Sequence, residues 1–146
     1  MGGDGMDLFD LRVESSHLHP GFKRLLAPNL AAERAILADW ASGFRDRDGK
    51  FVKEFQTTFE SSFWELYLHA VLKELGQGMD YSHHAPDFLV TSPACFTMEA
   101  TIAAPPRGGA PAIGSGMPEI PADLNEFNRE ATLRACNSLR SKLDRY

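Results

Sequence analysis

The stretch HHAPDFLVTSPACFTMEAT, residues 83–101, decides the fold. It reads as two short apolar strands, DFLVT and CFTMEATIA, folded back on each other around Pro93. Each carries one carboxylate among hydrophobic neighbours, Asp87 in the first and Glu99 in the second. With Ser92, Pro93 and Ala94 as the hairpin loop, Thr91 faces Cys95 and Asp87 falls opposite Glu99. Like charges so opposed weaken an antiparallel ladder by roughly 0.2–1 kcal/mol, and a bound divalent cation would offset the repulsion. A hard ion such as Mg²⁺ takes carboxylate and water oxygens and needs only one or two protein carboxylates. Thr101, two residues past Glu99, shares its strand face, whereas Ala100 points away. The register is decisive, because a slip of one residue moves every side chain to the other face. The residues alone leave a second reading open, in which Asp87 caps the strand after Pro86 and Glu99 is exposed on a half-solvated sheet.

On the N-terminal side, GQGMDYSHH (residues 76–84) reads as a Gly-rich turn. Before it, KFVKEFQTTFESSFWELYLHAVLKELG reads as one long helix, with Phe51, Phe55, Phe59 and Phe63 four residues apart and a stop at Gly76. Its second half is apolar around most of its circumference, which leaves Glu65, His69 and Lys73 as a narrow polar stripe. An earlier packing helix is expected from Asn29, as N-cap, through LAAERAILADWASGF to Gly43. Before that, DLFDLRV suggests a short strand and HLHPGF a turn.

On the C-terminal side, AAPPRGGAPAIGSGMPEIPAD is too rich in proline and glycine for a regular element. Asp123 then caps a last helix that is expected to run through LNEFNREATLRACNSLRSKLDRY to the final residue. That helix shows no stop signal, so the chain is expected to be incomplete at its C-terminus, with a sheet edge left unpaired.

At 146 residues, 43% hydrophobic and 24% charged, the composition is that of one ordinary globular domain. No apolar run approaches the ~18 residues of a membrane span, and MGGDGMDLFD lacks the pattern of a signal peptide, so a cytoplasmic location without membrane contact is expected. Cys95 and Cys136 are too few for a disulfide framework and lack zinc spacing, which makes them free thiols. The net charge of −5 argues against broad attraction to nucleic acid. The late cluster of Arg129, Arg134, Arg140, Lys142 and Arg145 still offers a basic face.

A helical acid (Glu65 in FWELYL), then Pro86-Asp87-Phe88 opening one strand, then Glu99-Ala100-Thr101 in the next, resembles the PD-(D/E)XK phosphodiesterases, the restriction-endonuclease-like nucleases. The resemblance covers about residues 51–146. It implies an α+β domain: a helix packed on a small mixed or antiparallel sheet of three strands, then a second helix and a fourth strand. Residues 1–50 would form an N-terminal helical extension and residues 51–146 the nuclease-like core. It further implies that Asp87 and Glu99 bind Mg²⁺, or Mn²⁺ in its place, that Glu65 is an additional acid of the metal site, and that the partner is nucleic acid, DNA ahead of RNA.

The chain departs from the pattern at Thr101, where the family has its lysine. Lys142, in a K-x-x-x-Y spacing with Tyr146 that is similar to the Q-x-x-x-Y element of some branches, is the candidate replacement. Ala131, Ala135 and Ser138 on its helix row are small enough to allow a close approach to the sheet. The implied activity is metal-assisted phosphodiester hydrolysis, with Lys142 orienting the attacking water or meeting the phosphate charge. A catalytically inactive module that binds nucleic acid or protein is the alternative, favoured by the missing strand lysine.

Other chemistry is weaker. His83-His84 with Asp87 lacks a third nitrogen or sulfur ligand for a transition metal. RGGAPAIGSG lacks the P-loop lysine. Trp64 and Tyr67 read as core aromatics rather than a base-stacking platform. Glu65 has its own structural alternative, an i,i+4 member of a solvent-facing stripe with His69 and Lys73.

Overall fold

A computed structural model describes residues 6–103 and 122–144 as a mixed α+β chain. The helices are α1 (Pro20–Leu25), α2 (Ala31–Ala41), α3 (Phe51–Thr57), α4 (Phe59–Glu74) and α5 (Leu124–Leu143), and the strands are β1 (Gly78–Asp80), β2 (Phe88–Ser92) and β3 (Phe96–Met98). The chain divides into two compact units, residues 1–100 and 101–146. Among the described residues no helix is long and apolar enough to cross a membrane.

The expected long helix is two helices, broken at Thr58, whose backbone leaves the helical region at φ −123°, ψ 52°. Two adjacent threonines explain the break. The Thr57 and Thr58 hydroxyls donate to the Lys53 and Glu54 carbonyls, the local side-chain bonding that competes with the helical ladder. The phenylalanine spacing still sets the packing across the break, because the rings of Phe51, Phe55, Phe59 and Phe63 contact one another in sequence. Gly76, with φ +66°, follows α4 where a stop was expected.

The first fifty residues are more helical and more deeply packed than their weak periodicity suggests. DLFDLRV forms no strand, and HLHPGF opens α1, where the His19 ring caps the helix by accepting from the Gly21 amide. Leu8, Leu18, Phe22, Leu37 and Ala41 share one core with Phe51, Phe55 and Leu66. Buried Gln56 staples the N-terminal segment to that core. Its amide donates to the carbonyls of Leu8 and Asp10, and its oxygen accepts from the Arg12 amide. Asn29 does not cap α2: it lies in a 3₁₀ turn, and Leu30 precedes the helix without a side-chain cap.

β1 comes from the stretch expected to be a turn. Three residues that include Gly and Asp carry almost no strand signal, so pairing with β2 supplies it. A side chain at Gly78 would meet the Ser92 hydroxyl, which would have to rotate away. The sheet is antiparallel with order β1-β2-β3, and its β2–β3 register is Phe88↔Met98, Leu89↔Thr97 and Val90↔Phe96. A second core cluster of Leu72, Phe88 and Val90, flanked by Leu68, Met98 and Ala100, joins α4 to one sheet face. The peptide bonds before Pro86 and Pro93 are cis.

In the second unit, Asp123 caps α5 as expected, accepting from the amides of Asn125 and Glu126. The helix ends at Leu143, three residues before the expected end. The Ser138 hydroxyl donates to the Ile102 carbonyl. Ala104–Pro121, Arg145 and Tyr146 lie outside the described residues, and with them most of the Pro/Gly-rich segment and the Tyr of the K-x-x-x-Y spacing.

Candidate functional site

The observed β2–β3 register is the one required to oppose the two acids. Both acids lie just outside the strands, Asp87 one residue before β2 and Glu99 one residue after β3, so the expected strands are shorter than their sequence pattern. Continuing the register by one pair sets Asp87 opposite Glu99. The strand alternation also holds past Met98, because Ala100 packs with the Phe88 cluster. Both acids are half-buried.

Asp87 has a structural duty as well. Its Oδ2 accepts the Ala100 amide at 2.8 Å, a side-chain bond at the end of the hairpin that matches the strand-capping alternative. Two opposed carboxylates suit a hard cation in donor chemistry, and Mg²⁺ commonly completes its shell with water. Among the described residues no group of three His, Cys, Asp or Glu side chains is placed to hold a metal, so the fit rests on two acids. His83 and His84 are exposed.

The residue that sequence reasoning missed is Arg47. Its guanidinium donates to the carbonyls of His83 at 2.6 Å, Pro86 at 2.9 Å and Asp87 at 3.2 Å. One planar fork thus fixes the bend that leads into β2 and sets the backbone from which Asp87 projects. Its sequence context, RDRDG, carries only a turn signal, and no local pattern announces a partner some forty residues away.

Glu65 is half-buried on α4. It shares the surroundings of the Tyr81 hydroxyl with Arg47 and Arg45. That hydroxyl is pushed up to about 12, chiefly by burial, with the Arg47 and Arg45 charges opposing the rise and the Glu65 charge adding to it. The expected solvent-facing stripe of Glu65, His69 and Lys73 is not observed. His69 is buried against α2, its Nδ1 2.9 Å from the Trp40 carbonyl. That carbonyl can only accept, so Nδ1 carries the proton and Nε2 is the basic atom. Lys73 donates to the Asp39 carbonyl.

Lys142 is half-buried in the last turn of α5, in the second unit. Phe127, Ala131, Arg134 and Ser138 share its half-buried stripe, whereas Ala135 lies on the exposed side, contrary to the expected row. Thr101, where the resemblance leads one to expect a lysine, is half-buried at the start of that unit. The basic cluster is partly neutralised within its own helix, since Arg129 pairs with Glu126 and Arg134 with Glu130. Trp64 and Tyr67 are not core residues. They stack on each other with ring centroids 5.5 Å apart, 37% and 38% exposed, because the all-round apolar half of α4 exceeds what α2 and the sheet cover.

No family model matches this chain, and neither a curated protein nor a solved structure matches it.

Proposed function

We propose that the chain is a Mg²⁺-dependent nuclease with a restriction-endonuclease-like core, hydrolysing phosphodiester bonds of nucleic acid. The observation that carries this reading is the β2–β3 register, whose continuation opposes Asp87 and Glu99 at the mouth of the hairpin. The order of elements supports it, a helix followed by three antiparallel strands and a further helix.

Asp87 and Glu99 would hold the ion; Glu65, the additional acid that the resemblance implies, forms no three-acid group with them among the described residues. When bound, Mg²⁺ supplies a water of lowered pKa and positive charge beside the phosphate. Arg47 fixes the backbone that aims Asp87, and the Asp87 bond to the Ala100 amide keeps its carboxylate at the hairpin end. Lys142 would meet the developing charge on phosphate or orient the attacking water.

The test is cleavage of single- and double-stranded DNA and RNA with and without Mg²⁺, by the parent, Asp87→Asn and Glu99→Gln. DNA cleavage that requires Mg²⁺, accepts Mn²⁺ and disappears in both folded variants is expected. Undiminished cleavage by either variant would overturn the mechanism. A second reading, an inactive module that binds nucleic acid, is favoured by the structural bond of Asp87 and by Thr101 in place of lysine. It predicts binding without cleavage, equal with and without Mg²⁺ and unchanged in Asp87→Asn.

A further inference from the structure

His19 ties the turn that opens α1 to both α3 and α4. Its backbone amide donates to the Gln56 carbonyl at 2.8 Å, and its ring Nδ1 accepts from the Gly21 amide at 3.0 Å. Its Nε2 lies 3.1 Å from a Glu60 carboxylate oxygen, and the ring stacks on Phe59 with centroids 6.0 Å apart. The break at Thr58 makes the first of these contacts possible, because in an unbroken helix the Gln56 carbonyl would accept from the residue 60 amide. The fit is close: a Cβ at Gly21 would meet the Phe59 ring at 2.6 Å and His19 Nδ1 at 3.2 Å.

These contacts fix the tautomer. An amide can only donate, so Nδ1 presents its lone pair to Gly21, and the proton of the neutral ring sits on Nε2, where it is donated to Glu60. Pro20 has no amide, so the Gly21 amide is the first donor of α1 and the ring nitrogen is its acceptor. An imidazolium carries N–H at both nitrogens and accepts nothing. A proton taken from solvent at Nδ1 therefore cancels the bond to Gly21, while the ring, now charged, keeps its pair with the Glu60 carboxylate. Among the described residues Glu60 is the charged group that α4 sets against the ring, and α3 contributes the neutral Gln56 carbonyl. The cations of α1, Lys23 and Arg24, lie in its last turn, and in the preceding 3₁₀ turn the His17 Nδ1 is 3.3 Å from the Ser16 hydroxyl.

We propose that His19 is a proton-operated latch between α1 and α4. In its neutral form it holds the Gly21 amide and Glu60 together; in its protonated form it releases Gly21, stays on Glu60 and loosens the first turn of α1. The device needs no metal or nucleic acid and is independent of the Asp87–Glu99 pair.

Nuclear magnetic resonance of the ¹⁵N-labelled full chain tests it, followed from about pH 8 to about pH 5, the range in which histidine changes charge. At the high end the imidazole ¹⁵N shifts of His19 should report the Nε2–H tautomer. As His19 titrates, the hydrogen-exchange protection of the Gly21 amide should fall by about 2- to 30-fold, the loss that follows removal of a helix cap. His19→Asn supplies an amide oxygen that accepts at every pH, so its Gly21 protection should stay constant over the same range. His17→Asn, which removes the neighbouring exposed histidine, should leave the Gly21 transition in place. Four results would each overturn the proposal: an Nδ1–H tautomer at the high end, Gly21 protection that ignores the titration of His19, the same loss in His19→Asn, or a transition that disappears in His17→Asn.

Discussion

Helices α4 and α5 are similar in length and opposite in what holds them. α4 has no side-chain N-cap and buries Ser62, Leu66, His69, Ala70 and Leu72. α5 buries no residue, but Asp123 caps it twice, and the pairs Glu126–Arg129 and Glu130–Arg134 brace it along its length. Packing holds α4, and local bonds hold α5. Local bonds are written within a few residues of one another, whereas packing depends on partners elsewhere in the chain.

The largest effect on stability should come from removing what α4 alone possesses. Leu66 is fully buried among Phe55, Phe22 and Leu37. Leu66→Ala should cost about 2–5 kcal/mol in urea unfolding. Truncating Leu133 of α5, which is 52% exposed, should change stability by no more than about 0.5 kcal/mol. Equal losses at the two positions would break the contrast.

The same contrast explains what was legible in the sequence. The Asp123 cap and the α4 stop before Gly76 depend on neighbouring residues and were readable. So was the hairpin register, because the short loop around Pro93 leaves little freedom. The break at Thr58 was hidden by a phenylalanine period that runs straight through it. β1 was hidden because its partner strand begins eight residues after it. At the candidate site the two strand acids and their opposition could be read. Arg47 could not, since its role exists only once the loop before α3 meets the bend at residues 83–87. His69 was placed on the surface by helical periodicity and lies in the core because α2 covers it.

That burial makes His69 the next test. Burial holds its imidazole below the ordinary histidine value, against the opposing pull of the Trp40 carbonyl, and the Lys73 charge adds to the lowering. The folded chain therefore resists a proton that the unfolded chain accepts below about pH 6.5. Stability should be flat above that pH and fall as pH drops through it towards the folded value, no more steeply than about 1.4 kcal/mol per unit for one proton. His69→Asn keeps a donor for the Trp40 carbonyl and should remove this part of the slope. An identical pH profile in the variant would show that α2 does not shield the ring.

Asp123→Ala sharpens the other side. Its carboxylate takes two amides at the start of a helix without buried residues, so the variant should lose about 0.5–2 kcal/mol of helix stability. Hydrogen exchange should accelerate first at Asn125 and Glu126 and spread along α5, because no core contact stops the fraying. Unchanged exchange beyond the first turn would mean that α5 is held by more than its own local bonds.

The smallest effect on stability is expected at Lys142, and it separates two uses of α5. A half-buried lysine in the last turn interacts favourably with the helix C-terminus, a contribution of about 0.3–1 kcal/mol at a surface site. Lys142→Met keeps most of the aliphatic stem and should lose no more than that contribution. If the lysine does no more than complete the helix, nucleic-acid cleavage should match the parent within twofold. If it serves the site of Asp87 and Glu99, turnover should fall at least about a hundredfold while KM changes little, the signature of a contact made only in the transition state. Lys142→Arg then adds a discriminating result, because a guanidinium restores charge at the helix end but changes the shape of the donor. Stability restored without turnover would assign Lys142 to the chemistry of phosphate, and parental turnover in both variants would leave α5 a purely structural helix.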